Sequence, residues 1–272
     1  MINESKTKYL SNVNINKQKK HIYIYCELCQ KGWKENVPGT HPDHSGDSIE
    51  FPGIILLRNF ISVSEEEFLV NEIDKRAFVD SQSGRKKQDY GPKINFKKKK
   101  IKCDSFTGLP AFSKFLVDRF TDLKNLSDFI PVELCNLEYD PARGSAIDPH
   151  FDDFWIWGER LITVNLLADT YLSLTMDKVP SRLLVDQSDL LNSEVRVPLP
   201  CRSLVVVSGP ARYDWKHGIL RCDISKRRLA MTFRELTPEF LPGGLYYEDV
   251  GRLVIERALT YCGISVAEFT KE

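Results

Sequence analysis

The sequence His150-Phe151-Asp152 places two candidate metal ligands two positions apart, and a third candidate, His217, follows 65 positions after the aspartate. On an extended strand, residues i and i+2 project from the same face, so His150 and Asp152 are natural co-ligands. Two imidazoles and one carboxylate form the facial triad typical of non-haem Fe(II) oxygenases, with three coordination positions left open. A lone His-x-Asp is usually a pair of ordinary residues, so the distal histidine strengthens this interpretation.

A second pattern lies just beyond His217, in Arg228-Leu-Ala-Met-Thr-Phe-Arg234. On an extended strand, Arg228 and Arg234 share a face with Ala230 and Thr232. Two guanidinium groups that point into a protein interior are costly unless an anion meets them. Because arginine binds carboxylates in a bidentate geometry, the pair predicts a site for a dicarboxylic co-substrate. Without the metal motif, two solvent-exposed arginines on an edge strand would be an equally good interpretation.

Short β-prone segments separated by turn signals dominate the sequence from Leu134 onward. Two helices precede them: Ser64 caps the first, with Glu67 completing its capping box, and Pro110 starts the second. This order predicts an α+β, mainly β fold, a double-stranded β-helix (jelly roll) with helices that buttress one sheet. The predicted strands are Leu134–Tyr139, Leu161–Leu167, Tyr171–Met176, Glu194–Leu199, Leu204–Ser208 and Leu229–Arg234.

Composition suggests the domain boundaries. Residues 1–50 are predicted to form an N-terminal extension that is partly disordered, and residues 51–272 a single domain. Within this domain we expect a lid region at about 81–102, the jelly roll at about 131–236 and a C-terminal helix at about 248–262.

The composition also excludes several classes of protein. The 272 residues are 42% hydrophobic and 11% aromatic, as in an ordinary globular protein. No apolar run approaches the ~18 residues of a membrane span, and the N-terminus lacks the apolar segment of a secretory signal. The seven cysteines show no disulfide-framework spacing. They therefore predict reduced thiols and a location in the cytoplasm and nucleus.

The net charge is zero, but the segment from Arg85 to Lys102 holds nine basic residues and one acid, a local excess of +8 (9 − 1). Such a patch indicates an anionic partner, either a nucleic-acid backbone or the acidic surface of a protein. A solvated loop or a nuclear-import stretch would explain it equally well. The residues assigned to this candidate substrate lid are Arg85, Lys86, Lys87, Tyr90 and Lys93.

A separate motif near the N-terminus, Cys26-x2-Cys29-x11-His41-x2-His44, supplies four zinc-type ligands at near-finger spacing. The two histidines are closer together than the usual three to five intervening residues. Spacing alone therefore leaves two interpretations open, a structural Zn(II) site and a set of unconnected loop residues.

In their order along the chain, His150-x-Asp152, His217 and Arg228-x5-Arg234 resemble the signature of the AlkB-type Fe(II)/2-oxoglutarate dioxygenases. Further segments resemble one branch of that family, its fourth animal homologue. These segments are residues 81–96, Gly144–His150 and Trp157–Arg160, and the whole resemblance covers roughly residues 51–260.

The resemblance implies an enzyme that uses Fe(II), 2-oxoglutarate and O2 to hydroxylate an N-methyl group, which is then lost as formaldehyde. It also implies roles for six residues. His150, Asp152 and His217 would bind iron, Arg228 the distal carboxylate of 2-oxoglutarate, Arg234 would lie near the keto-acid end, and Tyr139 would hydrogen-bond the co-substrate. The implied substrate is methylated lysine on a protein such as actin, with N6-methyladenine in DNA as the second candidate, and no membrane partner is expected.

The sequence departs from the family pattern at three positions. Asn136 is displaced by one residue, Ala230 replaces an asparagine between the two arginines, and Phe154 stands where bacterial AlkB has an acidic base contact. Two competing functions also stay open, a zinc-dependent cupin-type hydrolase and a catalytically silent binding module. A hydrolase would not need the arginine pair, and the intact ligand set argues against a silent module.

Overall fold

Two sheets of seven strands each form the body of the protein, in a computed structural model that describes residues 20–35, 41–179 and 188–266. The first sheet has the order β10 (Ile147–His150), β15 (Lys216–Ile219), β12 (Thr170–Thr175), β13 (Ser193–Leu199), β1 (His21–Cys26), β2 (Lys31–Lys34), β3 (Ser48–Glu50). The second has the order β4 (Ile54–Leu57), β14 (Leu204–Val207), β11 (Trp157–Leu166), β16 (Arg228–Leu236), β9 (Glu133–Tyr139), β6 (Lys86–Tyr90), β5 (Val79–Asp80). A separate hairpin consists of β7 (Lys93–Asn95) and β8 (Lys100–Lys102).

Strand β16 shows how the sequence separates two cores. Its alternate residues Leu229, Met231 and Phe233 pack in a cluster with the helices, whereas Ala230 belongs to a second cluster between the two sheets. This follows from the two-residue period of a strand, which sends successive side chains to opposite faces. The side chains that face the first sheet are therefore those of Arg228, Ala230, Thr232 and Arg234, and they line the pocket described below.

Helices cover the outer face of the second sheet. The helices are α1 (Val63–Asp74), α2 (Lys114–Thr121), α3 (Ser188–Leu191), α4 (Gly209–Tyr213) and α5 (Arg252–Ala258). Of these, α1, α2 and α5 contribute buried side chains to the cluster on that face, among them Leu69, Leu116 and Val254. The predicted jelly roll with buttressing helices is confirmed. No helix among the described residues is long and apolar enough to cross a membrane.

Helix α1 begins two residues earlier than predicted, so the predicted cap at Ser64 is wrong. Ser62 is the cap: its hydroxyl accepts from the Glu65 amide at 3.2 Å, and the Glu65 carboxylate accepts from the Ser62 amide at 2.8 Å. Arg119 of α2 also pairs with Glu65, so a tertiary contact reinforces this choice. The C-terminal helix is also shorter than predicted, because a π-helical turn at Tyr247–Gly251 precedes α5.

The segment assigned to the N-terminal extension supplies three strands of the first sheet. Strand β1 pairs in parallel with β13, and β2 and β3 follow it in antiparallel pairing. Tyr23 and Tyr25 are buried in the cluster between the sheets, which explains why β1 joins the main body. The described residues 21–35 and 41–50 therefore form part of the sheet that carries the candidate metal ligands.

The predicted lid region divides into two parts with different environments. Strand β6 pairs with β9 over five residues, and Tyr90 at its end is 0% exposed and packs edge-on against Phe112 at 6.0 Å. Arg85 is only 8% exposed. Arg85 and Tyr90 are thus part of the folded body and do not lie on an exposed lid. The exposed part is the β7–β8 hairpin, which carries Lys93.

Candidate metal centre and its pocket

Two neighbouring strands bring the predicted triad together. His150 at the end of β10 lies directly opposite His217 of β15, and their ring centroids are 4.5 Å apart. Asp152 follows two residues after β10, with its Oδ1 3.5 Å from His150 Nε2. One ligand atom from each of the three residues lies within 4.8 Å of the other two. This convergence fits a single metal ion bound by two nitrogens and one oxygen.

Local contacts and burial prepare the two imidazoles for metal binding. His150 Nδ1 lies 2.9 Å from the carbonyl oxygen of Asp148, which can only accept, so Nδ1 carries the hydrogen and Nε2 is free to bind a metal. Burial is the main cause that lowers the pKa of His217 to about 4. His217 is therefore uncharged near neutral pH, and its buried Nδ1 has no hydrogen-bond partner among the residues that the structure describes.

Arg234 holds Asp152 as a carboxylate with one oxygen free. Arg234 Nε donates to Asp152 Oδ2 at 2.7 Å, which leaves Oδ1 facing His150. Burial opposes ionisation of Asp152, but the charge of Arg234 and its hydrogen bond outweigh burial and hold the pKa of Asp152 well below its usual range. Arg234 also donates to Glu133, so its guanidinium group lies between two carboxylates. A metal bound by Asp152 would thus have a cation immediately behind its only acidic ligand.

Arg228 presents an unsatisfied cation to the same pocket. The side chain is 2% exposed, its Nε donates to Asn165 Oδ1 at 2.6 Å, and its guanidinium carbon lies 4.7 Å from the Tyr139 ring centroid. Its Nη1 is buried and finds no hydrogen-bond partner within the described part of the chain. A buried hydrogen-bond donor without a partner lowers the stability of the fold by about 1–3 kcal/mol, and by more when the group is charged. A carboxylate that entered the pocket would satisfy it.

One pocket connects these groups. It encloses about 600 Å³, part of it open to solvent, and it is lined by the triad, by Tyr139 and by Arg228, Ala230, Thr232 and Arg234 of β16. Apolar residues such as Leu172 and Val205 form much of the remaining wall. A molecule that chelates a metal at one end and carries a carboxylate at the other fits both polar features of this pocket. The donor set and the buried arginine therefore match Fe(II) and 2-oxoglutarate.

Two residues that support this site were not predicted from the sequence. Asn165 holds Arg228, and its amide nitrogen donates to the carbonyls of Ala168, Leu199 and Pro200 at 2.9–3.0 Å. The available signal was a single amide inside the apolar run Leu161–Leu167. The second, Arg212 of α4, is 0% exposed and donates to the carbonyl of Asp152 at 3.1 Å. Nothing in the sequence around Arg212 distinguishes it from a surface arginine.

Asn165 gives a first prediction. We expect Asn165→Ala to raise the KM for 2-oxoglutarate about 10-fold with little change in kcat, because a hydrogen bond to a charged group contributes ~1.5–3 kcal/mol. Initial rates at varied 2-oxoglutarate separate the two parameters. Ser203→Ala is the matched control, since Ser203 bonds to Pro200 in the same turn but does not contact Arg228. An equal KM change in both variants would show that Asn165 acts only by stabilising the turn.

The second predicted ligand set lies at the other side of the first sheet. One ligand atom from each of Cys26, Cys29 and His44 lies within 4.8 Å of the other two. Cys29 Sγ is 3.2 Å from Nδ1 of His41, the fourth predicted ligand. All seven cysteines are free thiols.

Of the remaining residues assigned to the substrate lid, Lys86 and Lys87 are half-buried in β6, where Lys87 pairs with Asp89.

Comparison with known proteins identifies the family. Alpha-ketoglutarate-dependent dioxygenase alkB homolog 4 of Homo sapiens is 44% identical over 263 residues, which cover 90% of this chain and 85% of that protein. A DNA N6-methyl adenine demethylase of Caenorhabditis elegans is 44% identical over 210 residues, covering 76% and 68%. The solved structure of OsALKBH1 aligns with a TM-score of 0.48 at 14% identity, covering 68% of this chain and 98% of that chain.

No protein-family model matches the chain. Because the match with the human protein covers 90% of this chain, it includes the segment that holds the triad and both arginines. The predicted resemblance is thus confirmed, and Fe(II), 2-oxoglutarate and O2 are the metal and co-substrates of such enzymes. This chain belongs to the AlkB family of Fe(II)- and alpha-ketoglutarate-dependent dioxygenases.

Proposed function

We propose that this dioxygenase removes N-methyl groups from methylated lysine on a protein, for which actin is one candidate. The observation that carries the proposal is a pocket of aromatic side chains with one carboxylate, next to the segment that supplies the metal ligands. Its lining includes Phe154, Trp155, Phe240, Tyr246 and Glu239. Phe154 and Trp155 follow Asp152 by only two and three residues, so the segment that supplies this metal ligand also contributes to the aromatic pocket.

The chemistry of the pocket favours a methylated ammonium group. The ring centroids of Trp155 and Phe240 are 6.2 Å apart, and those of Phe240 and Tyr246 are 5.3 Å apart. Aromatic faces attract alkylated ammonium groups through their negative quadrupole. A hydrogen bond from Thr237 lowers the pKa of Glu239, so this carboxylate is ionised and adds attraction for a cation. A neutral group would gain neither of these two attractions.

Each residue of the metal centre then has a defined task. We infer that His150, Asp152 and His217 hold iron, and that Arg228 binds the distal carboxylate of 2-oxoglutarate. When bound, iron with 2-oxoglutarate and O2 supplies the oxidation, which yields succinate and CO2 and hydroxylates the methyl carbon. The hydroxymethyl amine then releases formaldehyde and the demethylated amine. The protein's part is to bind, orient and exclude water.

Arg234 and Arg212 position the metal ligands without needing to touch the substrate. Arg234 fixes the rotation of the Asp152 carboxylate through Oδ2, and Arg212 fixes the backbone at the same residue through its carbonyl. Arg234 was predicted to lie near the keto-acid end of 2-oxoglutarate. It lines the pocket, and we infer that its bonds to Asp152 and Glu133 make ligand orientation its main task.

A second candidate substrate is N6-methyladenine in DNA. Lys93 and Lys102 lie directly opposite each other in the β7–β8 hairpin, and both are exposed. Like charges in this arrangement repel unless an anion lies between them or over them. Lys99 of the same hairpin lines the aromatic pocket, and the Caenorhabditis elegans relative carries the name of a DNA N6-methyl adenine demethylase. A phosphate backbone would suit this basic edge.

The test compares the two substrates in one assay. We expect succinate and formaldehyde to form with a methyl-lysine peptide at several times the rate seen with N6-methyladenine DNA. Trp155→Ala should reduce peptide turnover by about 10-fold, because a desolvated cation–π contact contributes up to about 2 kcal/mol. Lys100→Glu, which reverses one charge of the hairpin, is the comparison variant. It should impair DNA turnover more than peptide turnover. Turnover confined to DNA and unaffected by Trp155→Ala would contradict the assignment to lysine.

A further inference from the structure

We propose that Cys26, Cys29, His41 and His44 bind one structural Zn(II) ion, separate from the catalytic iron. Cys26 ends β1, Cys29 lies in the turn before β2, and both histidines lie in the connection from β2 to β3. One ligand atom from each of Cys26, Cys29 and His44 falls within 4.8 Å of the other two, and His41 Nδ1 is 3.2 Å from Cys29 Sγ. Three donors thus converge, and the fourth, His41, lies beside one of them.

The donor types select the metal. Zinc–sulfur bonds of about 2.3 Å and zinc–nitrogen bonds of about 2.0 Å place tetrahedral ligand atoms roughly 3.3–3.8 Å apart. The separations here agree with that spacing to within a small movement of side chains. Two thiolates neutralise the charge of Zn(II), which suits the half-buried position of both cysteines. The iron triad, in contrast, offers nitrogen and oxygen without sulfur, so the two sites differ in preferred metal.

His44 supplies an independent observation in favour of metal coordination. Its ring stacks on Trp33 with centroids 4.8 Å apart and an interplanar angle of 11°, so its orientation is fixed. The Nε2 atom is buried and has no hydrogen-bond partner in the described ranges. A buried polar atom in this state is destabilising unless something satisfies it. Coordination through this ring would remove the penalty without disturbing the stack.

The zinc ion would join the first three strands into one unit. Strands β2 and β3 attach to the sheet only through β1, whose last residue is the ligand Cys26. Strand β1 pairs with β13, and Tyr25 donates a hydrogen bond to the Ile54 carbonyl at 3.1 Å. From β13 the pairing continues through β12 to β15, which carries His217. The ion would therefore stabilise the edge of the first sheet opposite β10 and β15, the strands that carry the catalytic histidines.

The experiment measures the metal content of the purified full-length chain. We expect one zinc per chain by elemental analysis, and near zero in Cys26→Ser/Cys29→Ser, together with a fall in Tm of several degrees. Cys222→Ser, which changes an exposed thiol outside the cluster, should retain the zinc. Loading with Co(II) should give an intense thiolate-to-cobalt charge-transfer band. That band should persist in Asp152→Ala, because the iron triad contains no sulfur.

The cobalt spectrum keeps the proposal testable even where the double variant does not fold, since it needs only the unaltered protein. A wild-type chain with no zinc and no thiolate band under reducing conditions would overturn the proposal. A Cys26–Cys29 disulfide in freshly purified protein, detected by thiol counting, would also overturn it. Loss of the band in His41→Ala would support a four-ligand site, and an unchanged spectrum would contradict the assignment of His41.

Discussion

Asp152→Ala is expected to reduce succinate formation by at least ~100-fold, because loss of a metal ligand exceeds the ~10–100-fold effect of losing a residue that merely supports one. The substitution removes the only acidic ligand of the triad and the carboxylate that Arg234 holds in place, whereas the bond from Arg212 to the backbone carbonyl can persist. Anaerobic Fe(II) titration followed by dialysis should show that iron is no longer retained. Succinate release in the presence of substrate measures the loss of activity.

Asp153→Ala is the control for this variant, because Asp153 is an exposed carboxylate one residue further along the chain. It makes the same chemical change outside the triad and should retain both iron and activity. Equal activity in Asp152→Ala and the unaltered protein would remove the metal-centre assignment. A comparable loss in Asp153→Ala would instead show that the general acidity of this segment matters more than the ligand geometry.

Arg228→Ala is expected to raise the KM for 2-oxoglutarate by ~100-fold or more. Truncating one partner of a buried charge pair costs about 2–5 kcal/mol, and each 1.4 kcal/mol is about a factor of ten. The KM of Arg228→Lys should lie between those of the unaltered protein and Arg228→Ala, because an ammonium group keeps the charge but not the planar two-donor geometry. Initial rates at varied 2-oxoglutarate and fixed iron give both parameters.

Arg227→Ala provides the matched control for Arg228. This neighbouring arginine pairs with Asp74 and Glu138 on the other face of the chain and does not line the pocket. Its removal should leave the KM for 2-oxoglutarate within a factor of two or so, because surface ion pairs contribute about 0–1 kcal/mol. If Arg228→Ala bound 2-oxoglutarate as tightly as the unaltered protein, another cation would have to hold the distal carboxylate.

The local part of the site was predictable from the sequence, whereas its long-range part was not. The i, i+2 spacing of His150 and Asp152 and the alternation along Arg228–Arg234 follow directly from strand geometry. The pairing of His217 with His150 depends on the partner chosen by β15, which no local pattern specifies. The resemblance to a known family supplied that link. The role of Asn165 was not predicted, because the role of a buried amide depends on the residues with which it forms hydrogen bonds.

The cap of α1 shows how close two local solutions can be. The segment Ser62-Val-Ser64-Glu-Glu-Glu67 contains two overlapping Ser-x-x-Glu boxes, one at Ser62 and one at Ser64. Arg119, 54 positions beyond Glu65, pairs with the glutamate of the first box. Strand β6 was missed for a related reason: its Lys-Lys-Gln-Asp sequence lacks apolar alternation, and only its pairing with β9 makes it a strand.

The alternation along β16 limits the kinds of mutation that this enzyme can tolerate. A point substitution on one face changes either the pocket or the helix-packed core, and leaves the other intact. Deletion of a single residue between Arg228 and Phe233 would move every following side chain of the strand to the opposite face. Phe233 would then enter the catalytic cavity, and Arg234 would be forced among the hydrocarbon side chains beneath the helices. Variation in this strand is therefore confined to replacement, and changes of length must be absorbed in the turns at its ends.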